Sequence, residues 1–296
     1  MKDFKKKLRA DWVRNRSLYV LVLPVVIFYI LFNYKPIYGA IIAFQDYVPR
    51  LGISGSEWVG LANFKRFFSD IYFGRLMKNT LLLSVYDIIL ALLLNEIHNK
   101  FFKNVTQTIT YLPHFISMIV VCGMLTDFSL STGLFNDIIE FFGGERHPLL
   151  QDPKLYRTIY IASGIWQQVG WGTIIYLSAL AGVDSQLYEA AEIDGATKWK
   201  QTLHVTLPGI APTIITMFIL KIGKLMSMGY EKTILLYNPS TFETADIISS
   251  YVYRIGLLEQ DWSYSTAIGL FNSVINFVLL ILANKLSKKF SETSLW

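Results

Sequence analysis

Six times along its 296 residues the chain runs apolar for about twenty residues or more, enough to cross a hydrocarbon core. The runs are Ser17–Phe44, Leu76–Ile97, Val105–Phe128, Thr158–Val183, Leu207–Met228 and Tyr264–Leu286. At about 1.5 Å per residue each reaches across a core of about 30 Å once it is helical. Inside a bilayer water satisfies no backbone group, so a run of this length must bond its own N–H and C=O groups as a helix. The expected fold class is therefore all-α and integral to the membrane, with six transmembrane helices. Composition agrees: 17% of residues are charged and 53% hydrophobic, whereas a soluble domain is about a quarter charged.

Charge sets the orientation. Basic residues crowd the start, from Lys2 to Arg16, return in His98–Lys103 after the second run, and close the sixth with Lys285, Lys288 and Lys289. Positive segments stay on the cytoplasmic side, so both termini are expected there. The formal net charge of +5 is gathered beside apolar runs, which points to membrane lipids and away from nucleic acid. A basic flank followed by an apolar run also opens a signal peptide, but Ser17–Phe44 exceeds the usual apolar length of one and is expected to be the first span. In the outer segment Tyr230–Trp262, Glu231, Glu243, Asp246, Glu259 and Asp261 outnumber Lys232 and Arg254. Helical spacing in Leu134–Phe142 predicts a short amphipathic helix along the outer surface. The single cysteine, Cys122, permits no internal disulfide and reads as a small buried hydrophobe.

Between the fourth and fifth runs lies a polar connection of about twenty residues, beginning at Tyr188. Tyr188-Glu-Ala-Ala-Glu-Ile is rich in helix formers, and Asp194-Gly195 ends that helix because glycine tolerates positive φ. A helical pattern resumes at Thr197, and Pro208 is tolerated in the first turn of the next span. Two short helices across a membrane face make a docking surface for a partner.

Glu189, Ala190, Ala191, Gly195, Val205, Leu207 and Pro208 stand at the spacing of the EAA loop, and the connection resembles that loop of ATP-binding-cassette (ABC) importer permeases. The family usually carries Ile where Val205 stands. The resemblance implies the type I importer permease fold, with the loop at 187–208 seated in a groove of a cytoplasmic ATPase subunit. It also implies that Glu189 pairs with a basic group there. Small Ala190 and Ala191 suit close contact, and Leu187, Tyr188, Ile193 and Trp199 offer apolar purchase. The segments Phe44–Tyr47, Trp58–Phe64, Glu231–Pro239, Glu243–Asp246, Tyr251–Arg254 and Tyr264–Phe271 are similar to LplB-type carbohydrate-uptake permeases. That similarity implies import of complex or oligomeric sugars through the cytoplasmic membrane of a prokaryote. It further implies a second, similar permease, a dimer of ATPase subunits that bind ATP and Mg, and an extracytoplasmic solute-binding protein. On this reading residues 1–72 hold the basic start, first helix and first outer loop. Residues 73–289 form the five-helix permease core, and 290–296 a tail.

The chain itself lacks the parts of an enzyme. No glycine-rich phosphate loop is present; Gly223-Lys224 lacks the preceding glycine. His98, His114, His147 and His204 are scattered, so no metal or cofactor site is expected and no catalytic residue is assigned. Polar residues inside spans are costly and mark candidates for a cargo path: Asp87, Trp166 with Gln167 and Gln168, Trp171, Asn272 and Asn276. They either line a hydrated sugar path or bond helices together at about 0.6 kcal/mol per contact. Lys221 and Lys224, three apart, suit an acidic oligosaccharide if they point inward; snorkelling to the outer headgroups or salt bridging is the favoured alternative, and snorkelling explains Lys224 easily and Lys221 less so. An ion-coupled secondary transporter using Asp87 and these lysines is the leading rival. An intramembrane enzyme is a second, weakened by the lack of a nucleophile paired with a base.

Overall fold

The computed structural model describes residues 2–93, 111–227 and 229–291. Helix α1 (Lys2–Tyr29) continues through a wider turn at Ile30–Tyr34 into a tighter one at Tyr38–Phe44. Asp11–Phe44 is long and apolar enough to cross a membrane, and none of its most apolar stretch is buried against the rest of the chain. A helix apolar on every side and bare of neighbours needs lipid or another subunit to cover it.

The outer segment that follows is more ordered than the expected loop. Strands β1 (Gln45–Asp46) and β2 (Glu57–Trp58) pair antiparallel, with Gln45 opposite Trp58. Phe44 stacks on Trp58 at 5.6 Å, which holds the hairpin against the end of the first span. Helix α2 (Ala62–Ser69) leads into α3 (Ile71–Leu93), which starts five residues before the apolar run. Residues 94–110, with Asn95 and the basic His98–Lys103, lie outside the described residues.

The third span departs from a single helix over Val105–Phe128. Pro113 has no N–H to give a helix and sits in a tight turn at Leu112–Phe115. Ile116 is extended, and α4 (Met118–Ser129) starts afresh with the Ser117 hydroxyl accepting from the Val120 N–H. After Gly133 comes α5 (Leu134–Phe141), the expected amphipathic helix.

Helix α6 (Pro153–Ala181) is longer at its start than the fourth apolar run, because Asp152 caps it and Pro153 occupies the first turn. The polar connection after α6 contains α7 (Ser185–Ile193) and a turn at Lys198–Gln201. Helix α8 (Leu207–Ile222) stops at Gly223, short of the expected Met228, and a tight turn at Leu225–Ser227 follows. At this end α8 lies close against the sixth span: a Cβ at Gly223 would fall 2.8 Å from Leu280, so glycine fits the contact. Met228 lies outside the described residues. Helices α9 (Tyr230–Leu236) and α10 (Ile248–Tyr253) precede α11 (Trp262–Ser291).

Among the described residues four stretches are long and apolar enough to cross a membrane: Asp11–Phe44, Met118–Phe141, Lys198–Ile222 and Trp262–Lys288. Helices α3 and α6, of 23 and 29 residues, reach the same length. Two buried clusters hold the core. Val121, Cys122 and Leu125 of α4 meet Tyr156 and Tyr160 of α6 and Leu236 of α9. Phe67 and Leu76 meet Tyr251, Ile255, Tyr264 and Ile268 around α11.

Candidate coupling loop and intramembrane polar residues

Helix α7 begins three residues before the helix expected at Tyr188, because the Asp184 carboxylate accepts from the Gln186 N–H and caps it. Its other end is a Schellman motif. The Ala196 N–H donates to the Ala191 carbonyl at 2.9 Å, and the Gly195 N–H to the Glu192 carbonyl at 3.1 Å. Gly195 carries the required left-handed backbone at φ +72°. Thr197 caps the next turn, so the connection folds as two short helices joined at a glycine.

Two contacts fix this loop to the spans. The Tyr188 hydroxyl lies 2.9 Å from the Thr206 hydroxyl just before α8. A Cβ at Gly209 would fall 2.9 Å from Val183, so the start of α8 lies close against the end of α6. Leu207 is half-buried and Pro208 is exposed in the first turn of α8. Ala191 is half-buried, while Glu189 and Ala190 are exposed, and Glu189 has no ion-pair partner among the described residues. Glu192 lies 3.7 Å from Lys198, an exposed pair that contributes little. Ile193 is 87% exposed and Trp199 63%, so the loop presents apolar side chains with nothing on them.

The polar residues within the spans fall into separate groups. Gln167 is buried, and its amide donates to the Ile116 carbonyl at 3.3 Å, serving the break that Pro113 causes. Its Oε1 is buried without a partner. Neighbouring Trp166 lines an apolar cavity of about 450 Å³ between α4 and α6. Trp171 stacks on His114 with centroids 4.2 Å apart and planes within 7°, so one face of the indole is already covered. Asn276 accepts from the Met226 N–H at 3.1 Å and donates to the Ser227 hydroxyl at 2.8 Å. Asn272 also reaches Ser227, at 3.5 Å, and its Oδ1 is buried without a partner. Both asparagines therefore serve the turn that follows Lys221 and Lys224; Lys221 is half-buried in the last turn of α8 and Lys224 is exposed. Asp87 lies within α3, but its side chain falls outside the described residues.

A second network joins elements far apart in sequence. Buried Asn79 of α3 donates to the carbonyls of Glu243 and Asp246 at 3.1 and 3.0 Å and accepts from Arg157 at 2.6 Å. Asp246 pairs with Arg254 and accepts from Ser250. Burial pushes the Asp246 carboxyl above the ordinary carboxylate range, against the opposing pull of Ser250 and Arg254. Lys232, buried in α9, donates to the Tyr160 carbonyl at 2.6 Å and lies 4.5 Å from the centre of the Tyr160 ring. In the sequence Lys232, Asp246 and Arg254 stand out only as charges of the expected outer segment and Asn79 as a polar residue in an apolar run, with nothing to join them. Among the described residues no three His, Cys, Asp or Glu side chains converge to hold a metal ion.

Known proteins share this arrangement over almost its whole length. The polygalacturonan/rhamnogalacturonan transport system permease protein of Bacillus subtilis is 44% identical, the alignment covering all of this chain and 95% of that protein. Protein LplB of the same organism is 41% identical over 96% of this chain and 92% of its own. A chain in a structure described as a bacterial alginate ABC transporter in complex with an alginate pentasaccharide-bound periplasmic protein superposes with a TM-score of 0.86. It shares 38% identity and covers 98% of this chain and 100% of that one. The family model described as the binding-protein-dependent transport system inner membrane component matches residues 87–292, from the middle of α3 through the Gly195 loop and past the end of α11. With its connection capped, exposed and placed between two spans as described, and this match over most of its length, the chain belongs to the family of binding-protein-dependent transport system inner membrane components.

Proposed function

We propose that the chain is the membrane-spanning permease subunit of an ATP-driven importer of oligosaccharides, forming half of the translocation path. The observation that carries this reading is the rigidly capped α7–Gly195 connection, exposed and apolar at its tip. A surface so shaped, fixed to two spans by Tyr188 and Gly209, suits transmission of force. In this reading Glu189, Ala190, Ala191, Gly195, Leu207 and Pro208 couple the spans to a cytoplasmic ATPase dimer that binds ATP and Mg. A second permease completes the path, and a solute-binding protein delivers cargo to the outer loops. Six spans with both termini cytoplasmic put this loop on the ATPase side; α3 and α6 supply the two spans beyond the four most apolar stretches. The cargo is acidic: a relative is named for polygalacturonan and rhamnogalacturonan, and a similar structure is described as an importer of the acidic polysaccharide alginate. Lys221, in the last turn of α8 before the turn that Asn272 and Asn276 bond, is the residue of the path that answers to that charge, with Asp87, Trp166 and Gln167 as further path residues.

A cysteine introduced as Ile193→Cys tests the coupling. It should cross-link to a nucleotide-binding subunit and react with an impermeant thiol reagent only from the cytoplasmic side. Reaction from the outside alone would reject the topology. For the cargo, Lys221→Ala should slow uptake of an oligouronate while sparing assembly; unchanged kinetics would remove that role.

A further inference from the structure

Helix α5 has an apolar face that none of the described residues covers. Leu134, Ile138, Phe141 and Phe142 fall at i, i+4, i+7 and i+8 and form one stripe. All four are exposed, Phe141 at 84% and Phe142 at 81%. The opposite face is locked. Asn136, fully buried, donates to the carbonyls of Leu130 and His147 at 2.8 and 2.9 Å and accepts from the His147 N–H at 3.0 Å. Phe135 meets Phe128 of α4 edge-on at 5.7 Å. A Cβ at Gly133 would lie 2.3 Å from the Asp127 carbonyl, so the entry into α5 admits one shape. The stripe is thus held rigidly in place.

Three observations identify what the stripe meets. It follows α4 after only four residues, so its level is the end of a span whose Met124, in the half nearer α5, is also exposed. Beneath it, the cavity of about 450 Å³ is lined by Val121, Leu125, Phe128, Phe135, Ile159 and Trp166. Such a lining, with the Thr158 and Ser163 hydroxyls as its polar groups, offers water few partners on the packed side of α5. On the flank of the stripe, Arg146 bonds Asp137 at 2.7 Å, Glu140 at 2.6 Å and the Ser131 carbonyl at 3.2 Å. The polar side consumes its one arginine internally, leaving no basic cluster to seek anionic groups.

We infer that α5 is an interfacial anchor, with Leu134, Ile138, Phe141 and Phe142 inserted among the phospholipid acyl chains of the outer leaflet and the Arg146 cluster at headgroup level. Insertion is hydrophobic and independent of lipid charge, unlike basic amphipathic helices. This rests on the topology proposed above, which puts residues 129–157 outside.

The test uses the full chain in vesicles of phosphatidylcholine, alone or mixed with phosphatidylglycerol. With Cys122→Ala as background, Phe142→Cys, Ile138→Cys and Glu145→Cys are each labelled with a nitroxide. Collision with oxygen should exceed collision with a water-soluble nickel complex at 142 and 138, and the order should reverse at 145. The oxygen-to-nickel ratio should differ several-fold between 142 and 145 and not change with lipid charge. Equal nickel access at 142 and 145 would overturn the anchor. Protection of 142 only after a solute-binding protein is added would also overturn it, by making the stripe a protein contact. The topology is read separately, from the side on which an impermeant maleimide reaches Glu145→Cys. Labelling there only from the cytoplasm would overturn the outer-leaflet placement itself.

Discussion

Gly195→Ala isolates the mechanical role of the coupling connection. A Cβ at Gly195 would meet nothing within 4 Å, so the substitution adds no clash. Its cost is the left-handed backbone alone, φ +72°, which an L side chain adopts at a penalty of about 1–2 kcal/mol. That penalty falls on the Schellman pair from Ala196 to Ala191 and from Gly195 to Glu192, the bonds that set the direction in which the chain leaves α7. One to two kcal/mol corresponds to about a 5–30-fold loss of the capped form against frayed alternatives. The assay is ATP hydrolysis by the reconstituted complex, stimulated by the loaded binding protein, at limiting ATPase subunit. Gly195→Ala should lower stimulated hydrolysis within that range and leave basal hydrolysis alone. Gly195→Asn should lose less, since Asn tolerates this region better than other side chains. Full activity in the Ala variant would refute the need for the cap. Equal losses for Ala and Asn would show that any side chain fouls the contact, and the backbone argument would fail.

Three further substitutions read the buried structure. Gly229→Ala puts a Cβ 2.3 Å from the Tyr160 hydroxyl at a backbone of φ +81°, and should cost about 2–4 kcal/mol in thermal stability. Tyr160→Phe in the same chain should return part of that loss, because the next ring atom is 3.5 Å away; no recovery would contradict the geometry. Asn276→Ala strands the Met226 N–H and should cost about 1–3 kcal/mol while leaving the sugar dependence of uptake unchanged. A changed sugar dependence at intact stability would make Asn276 a cargo contact instead. Arg254→Met leaves the buried Asp246 carboxylate without its cation and should cost about 3–5 kcal/mol at neutral pH. Asp246 already has a folded pKa above its unfolded one, so proton uptake favours the folded form. The loss in Arg254→Met should therefore shrink as pH falls toward that raised pKa, and a pH-independent loss would exclude Asp246 as its source.

Local chemistry was readable in the sequence where a few neighbouring residues decide the outcome. The halt at Gly195, the amphipathic α5 and the resumption at Thr197 all stand where spacing puts them. Asp184 shows the limit of reading inward from helix formers: a cap immediately before Ser185-Gln-Leu lengthens the helix by three residues beyond its obvious core. The breaks at Pro113 and Gly223 were hidden because apolar composition persists across them. Hydropathy records what can sit in lipid and is silent on whether the backbone stays helical there. Each break is then served by a side chain from another helix, Gln167 for Ile116 and Asn276 for Met226. Sequence alone left those two amides open between path and interhelical bond, since the broken backbone that uses them was not visible. Asn79 illustrates the hardest case, because its carbonyl partners lie 164 and 167 residues away.

Uptake into sealed vesicles puts the central mechanical proposal to the most direct trial. The complex containing this chain is reconstituted with labelled oligouronate, binding protein and ATP in defined compartments, and ion gradients are collapsed with ionophores. Sugar should accumulate only when binding protein is outside and ATP reaches the face bearing Ile193, and accumulation should survive the ionophores. Uptake by this chain alone, or uptake that follows a proton or sodium gradient and ignores ATP, would contradict the account.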